Sequence, residues 1–149
     1  HQLHDVIGHL TGYEAFATIF LGRIDVAEQV MEFVNAGHNP PIYSSNGLQT
    51  ELREGCIPLG IMPVDHVDVG RVPFRPGDSV FLYTDGMVEQ QNRDGEFFGD
   101  HRVRAFVANT LQHTSNAVVK LALREVQHYA EGLDYEDDIT IMNIRFRTA

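Results

Sequence analysis

The chain of 149 residues is 43% hydrophobic, 9% aromatic and 21% charged, the composition of an ordinary globular domain rather than of a repeat array or a disordered tail. Eleven Lys+Arg against 21 Asp+Glu give a formal net charge of -10, with Lys120 the only lysine; so acidic a chain argues against nucleic acid as a partner and favours divalent cations. The one cysteine, Cys56, excludes an internal disulfide and a cysteine-based zinc cluster and suits a reducing cytoplasm, and no apolar run approaches the ~18–20 residues that would span a bilayer.

Leu3, Val6, Ile7 and Leu10 recur at helical spacing within His1–Thr11, which predicts the end of a helix already under way. Ala15–Ile24 and Gln29–Ala36 read as strands joined by a hairpin loop over Asp25–Glu28. Asn39-Pro40-Pro41 breaks the pattern, and Asn46-Gly47 then marks a tight hairpin turn. Short strands are predicted at Leu48–Leu52, Val67–Val72 and Ser79–Thr84, the last after a turn at Arg75-Pro76-Gly77-Asp78. Phe98-Gly99-Asp100 opens a helical region. Val103, Phe106, Val107 and Leu111 share one helical face, and Val118, Leu121, Ala122, Val126 and Tyr129 share another, with Ser115 or Asn116 as the cap. Ile139–Phe146 alternates as a closing strand, with Ile139, Ile141, Asn143 and Arg145 on one side. The expected architecture is a meander of antiparallel strands with two helices inserted late and a final strand returning to the sheet, an α+β fold.

Two acidic clusters sit where strands meet loops. Thr84-Asp85-Gly86 ends the apolar run Val80–Tyr83, which leaves the Asp85 carboxylate at the rim of the sheet with room beside it for a ligand. Glu136-Asp137-Asp138 directly precedes the closing strand. If the two strands are neighbours, Asp85 and Asp137 converge at one end of the sheet, and a hard divalent cation with oxygen ligands relieves their repulsion. Asp-Gly is also a common turn and Glu-Asp-Asp a common solvated loop, so spacing alone leaves both readings open.

The flanks add a resemblance. Phe81–Gly99 (FLYTDGMVEQQNRDGEFFG), Phe33–Tyr43 (FVNAGHNPPIY), Pro58–Ile61 (PLGI), Asp137–Met142 (DDITIM) and the Arg75–Asp78 turn occur in one chain. The set resembles the metal-dependent serine/threonine protein phosphatases of type 2C. It is closest to the bacterial branch typified by stage II sporulation protein E and the stress-response phosphatases that act on anti-anti-sigma factors. The resemblance runs from Phe16-Ala17-Thr18 to Ile144. It implies an antiparallel β-sandwich flanked by helices and a two-ion site, Mn2+ or Mg2+, at which an activated water attacks the phosphorus of a phosphoserine or phosphothreonine in line. Carried over by position, Asp85 and Asp137 are the metal ligands, and Asp138 supports them or holds a weaker extra ion. His38, in Asn35-Ala36-Gly37-His38, falls in a motif that such enzymes use mainly as a structural turn, with a general-acid role the lesser alternative.

The family's opening Gly-Asp-aromatic-aromatic-Asp motif, which supplies further ligands, has no counterpart in these residues. The expectation is therefore a single phosphatase-like domain over 1–149, N-terminally incomplete and lacking the early strands. Such a chain is inactive by itself, and its open strand edges invite a homodimer. The implied substrate is a phosphoprotein, such as an anti-sigma-factor antagonist, in a cytoplasmic bacterial signalling protein with a sensor or receiver domain upstream. The alternative is a catalytically inactive phosphatase-like adaptor that binds a partner protein.

Rival chemistries fail on spacing. Aligning Gly95 with the glycine of a calcium loop puts Gln90 and His101 where carboxylates are needed. The eight histidines show no zinc spacing. A Walker loop needs Gly-Lys-Ser/Thr, but Lys120 follows Val119. Met62 stands where a cysteine phosphatase needs arginine, which makes Cys56 a small buried hydrophobe rather than a nucleophile. Glu89 reads equally as a water-linked neighbour of Asp85 or as a surface residue.

Overall fold

A computed structural model describes residues 2–12 and 14–147. The elements in chain order are α1 (Gln2–Thr11), β1 (Ile19–Asp25), β2 (Val30–Ala36), β3 (Ile42–Ser45), β4 (Leu48–Glu51), β5 (Gly55–Cys56) and β6 (Gly70–Pro73). They are followed by β7 (Ser79–Tyr83), α2 (Asp85–Val88), α3 (Gly99–Thr110), α4 (Ser115–Tyr129) and β8 (Ile141–Arg145). The chain divides into two compact units, His1–Pro40 with Leu52–Arg75, and Pro41–Glu51 with Pro76–Ala149.

The first unit carries α1 and a sheet built on β2, which pairs antiparallel with β1 and β6 and parallel with β5. Alternation makes β2 its centre: Met31 and Phe33 are buried on one face, and Phe20 stacks on Phe33 at 5.6 Å between ring centroids. The second unit carries an antiparallel sheet in the order β4-β3-β7-β8. Ile42, Phe81 and Tyr83 from that sheet pack with Val103 and Val107 of α3 and Val118, Ala122 and Val126 of α4. The four-residue spacing within each helix aligns these side chains on one stripe.

The α+β class stands, while several local expectations change. The Asn46-Gly47 turn forms as read, with φ of 51° and 80°, the left-handed pair that closes a two-residue hairpin. The strands do not run as one meander. β3 pairs with β7, and β5 and β6, which lie between them in sequence, join β2 in the other unit. Thr114, not Ser115 or Asn116, caps α4, its Oγ1 accepting from the Ala117 amide at 3.3 Å. Three helices, not two, lie between β7 and the closing strand, because α2 begins at Asp85 itself. Cys56 is half-buried in β5 rather than enclosed. Among the described residues no helix is long and apolar enough to cross a membrane.

Candidate functional site

The two acidic clusters meet within the second unit. β7 and β8 are antiparallel neighbours with Tyr83 opposite Ile141, so the residues after β7 and before β8 share one end of the sheet. Beyond that register Thr84 closes the gap. Its amide donates to the Thr140 carbonyl at 3.1 Å, its hydroxyl accepts from the Thr140 amide at 2.9 Å, and the same hydroxyl donates to the Asp138 carbonyl at 3.1 Å. Asp85 thus begins α2 beside the segment that carries Asp137 and Asp138.

Gly86 fixes the approach. A Cβ there would stand 2.6 Å from the Asp138 carbonyl oxygen and 3.3 Å from that of Asp137. The room expected beside Asp85 for a ligand is therefore filled, on the glycine side, by the Asp137–Asp138 backbone. The carboxylates themselves remain exposed. Asp85 Oδ1 accepts from the Gly86 amide at 3.1 Å, and Asp137 Oδ1 accepts from the Asp138 amide at 2.7 Å. Among the described residues neither carboxylate has a basic partner. Exposed oxygen donors without a cationic neighbour are the donor chemistry that a hard divalent ion takes, so these residues fit one. They do not complete a site alone: among the described residues no group of three or more His, Cys, Asp or Glu side chains is placed to hold a metal.

Other polar contacts of the second unit carried no signal in the sequence. Buried Tyr83 donates to Asp100 at 3.2 Å across to the first turn of α3. Burial first, and the Asp100 charge second, raise its phenol above the ordinary tyrosine value. Gln90 is 2% exposed with its Oε1 unpartnered, while its Nε2 donates to the Gln91 carbonyl. Gln91 in turn reaches Glu136 at 3.5 Å. Tyr129 donates to the Glu96 and Phe97 carbonyls, and the Arg102 guanidinium lies 4.6 Å over its ring. Glu89 caps α2 through its amide to the Asp85 carbonyl and is exposed. Thr84 was legible in part, since threonine stands beside both aspartate motifs.

Asn35–His38 and Pro58–Ile61, from two of the other motifs, lie in the first unit and meet there. Asn35, 4% exposed, donates from Nδ2 to the His38 and Leu52 carbonyls at 2.9 and 3.1 Å and accepts the His38 amide at 2.8 Å. Ala36 pairs with Cys56, and Gly37 abuts the Pro58 ring. His38 enters this turn through its backbone, the structural role expected of the motif. Residues 92–96 close on themselves, Asn92 Oδ1 accepting from the Asp94 and Glu96 amides.

Comparison with known proteins identifies the family and the fold. The family profile described as Stage II sporulation protein E (SpoIIE) matches residues 1–147. Protein IcfG of Synechocystis sp. is 30% identical over 131 residues, 87% of this chain and 20% of that protein. The SiaA-PP2C domain of Pseudomonas aeruginosa superposes with a TM-score of 0.77 at 22% identity, over 87% of this chain and 51% of that one. The PP2C phosphatase domain of SpoIIE from Bacillus subtilis, solved with a fragment of its regulatory domain, gives 0.71 at 21% identity, over 87% of this chain and 37% of that one. The chain thus spans about a fifth of the length of its curated relative IcfG and about half of the SiaA domain. By the match over residues 1–147 the chain belongs to the stage II sporulation protein E family, and its α+β fold is that of type 2C phosphatase domains.

Proposed function

We propose that the chain is part of a metal-dependent phosphoserine/phosphothreonine protein phosphatase domain in a cytoplasmic bacterial signalling protein. Asp85 and Asp137 hold a divalent cation, Mn2+ or Mg2+, within a two-ion site that further ligands complete. The observation that carries this reading is the Thr84 clasp with Gly86 packed on the Asp138 carbonyl, which sets two exposed aspartates at one strand end. Bound divalent cations supply charge neutralisation at the phosphoryl oxygens and a more acidic water. The chain's own part is to fix the donors: Thr84 ties the Asp137–Asp138 segment to β7, and each carboxylate is oriented by the amide that follows it. Family membership supports a phosphorylated regulator such as an anti-sigma-factor antagonist as substrate, and a sensor or receiver domain elsewhere in the full protein.

In the full-length protein, Asp85→Asn and Asp137→Asn are each expected to lower Mn2+-dependent hydrolysis of a phosphoserine peptide by more than ~100-fold, the scale on which even the outer partners of metal ligands act. Wild-type turnover in either variant contradicts the assignment. One observation favours a second reading, a phosphatase-like adaptor that binds a partner without turnover: the described residues assemble no group of three metal-binding side chains. Absent turnover in the unmodified full-length protein, with partner binding retained, selects the adaptor.

A further inference from the structure

The β7–β8 pair has a second end. Where β7 starts and β8 finishes, Ser79 stands opposite Arg145. Two cavities of about 500 and 270 Å3 open there and share Pro76, Gly77 and Gln112. Among the described residues the larger is lined by Arg145, Arg147, His113 and Thr114 and by no carboxylate, in a chain of formal charge -10. The one carboxylate lining the smaller, Asp78, is buried and accepts the Tyr43 hydroxyl at 2.9 Å.

The strand register shows what faces this end. Ser44, Ser79 and Arg145 lie opposite one another across β3, β7 and β8, so their side chains share a face; two residues along, Ile42, Phe81 and Asn143 do the same. Ile42 and Phe81 are packed with α3 and α4, which identifies the helix-covered face. On that face three buried polar atoms have no hydrogen-bond partner: Ser44 Oγ, Asn143 Nδ2 and Arg145 Nε. Ser44 is 3% exposed and lines the smaller cavity. All three atoms can donate, and buried donors ask for an acceptor. Arg145 is held in place by donation from Nη2 to the carbonyl of Leu111, the C-cap of α3. Thr114 caps the 15-residue helix α4, so the positive end of that helix adds to the two arginines.

We propose that this end of the second unit is an oxyanion site that takes a phosphate group, with Arg145 and Arg147 as its charged ligands and His113 and the α4 N-terminus beside them. A tetrahedral dianion has acceptors in several directions and suits donors converging from a strand, a helix start and two guanidinium forks. The site lies at the opposite end of β7–β8 from Asp85 and does not depend on the metal reading. Free phosphate and a phosphoseryl group present the same chemistry.

Inorganic phosphate is titrated by calorimetry into the full-length protein without divalent metal, at constant ionic strength, with O-phosphoserine in a second series. Arg147→Gln, at an exposed position beyond β8, is expected to weaken phosphate binding about tenfold, the loss of one charge-assisted hydrogen bond. Arg93→Gln, which removes the same charge from an exposed loop of the same unit, is expected to leave it unchanged. Phosphoserine binding with the same dependence on Arg147 assigns the site to a phosphate ester, and binding of inorganic phosphate only assigns it to the free ion. Absence of saturation in the millimolar range, or equal weakening by Arg93→Gln, overturns the proposal.

Discussion

Gly86 is confined by backbone on its open side. A methyl group at this position would meet the Asp138 carbonyl at 2.6 Å, and a main-chain oxygen held by Thr84 cannot rotate aside as a side chain could. Gly86→Ala is therefore expected to cost about 1–3 kcal/mol through overpacking, even though alanine is the better helix former by ~1 kcal/mol. Thermal melting measures the cost, and a stability equal to or above wild type contradicts the close approach. Tyr83 sets a pH dependence in the same unit. Burial, then Asp100, hold its phenol above the ordinary value, so the folded chain keeps it neutral. The unfolded chain ionises it near ~10. The stability this group contributes is complete below that pH and is lost as pH rises above it. Tyr83→Phe is expected to flatten the alkaline fall in urea-unfolding stability while costing about 0.5–1.5 kcal/mol at pH 7 for the lost hydrogen bond; an alkaline limb unchanged by the substitution contradicts the assignment.

Among the elements, the most exposed to a single change is the turn after β2. Asn35 joins the end of that strand to residues 38 and 52 with one side chain, and Asn35→Ala leaves a buried carbonyl and the turn amide without their partner. The expected loss is about 2–3 kcal/mol, read as a lowered denaturation midpoint with an unchanged slope; a loss within ~0.5 kcal/mol, the range of ordinary surface changes, contradicts the role given to Asn35. Strands β2 and β8 were legible from alternation, β7 from its apolar run, and the Asn46-Gly47 turn from its chemistry, because each signal is local. β5 has two residues and α2 has four, too few for any period to register. The pairing of β3 with β7 spans a long sequence separation and was hidden for that reason: local patterning names a strand but not its neighbour. The α4 cap was displaced by one residue because Thr114, Ser115 and Asn116 are all capable caps, and only the backbone decides among them.

For the chain as a whole, the site was legible where carboxylates stand at strand ends. Asp85 and Asp137 were nameable because each flanks an apolar strand, and their meeting depended on one pairing, β7 with β8. The supporting contacts were not legible. Thr84 reaches Asp138, and Tyr83 reaches Asp100, only once that pairing and the docking of α3 exist. The formal charge of -10 attracts divalent cations diffusely, so salt and a neutral control must separate a site from the general field. The direct test is calorimetric titration of Mn2+ into the full-length protein, its Asp85→Asn and Asp137→Asn variants and, as a charge control, Asp94→Asn, at physiological ionic strength. Saturable binding weakened at least about tenfold in each of the first two variants, and unchanged in Asp94→Asn, is the expected result. Equal binding in all four proteins, or none in the unmodified one, contradicts the claim that Asp85 and Asp137 hold the metal.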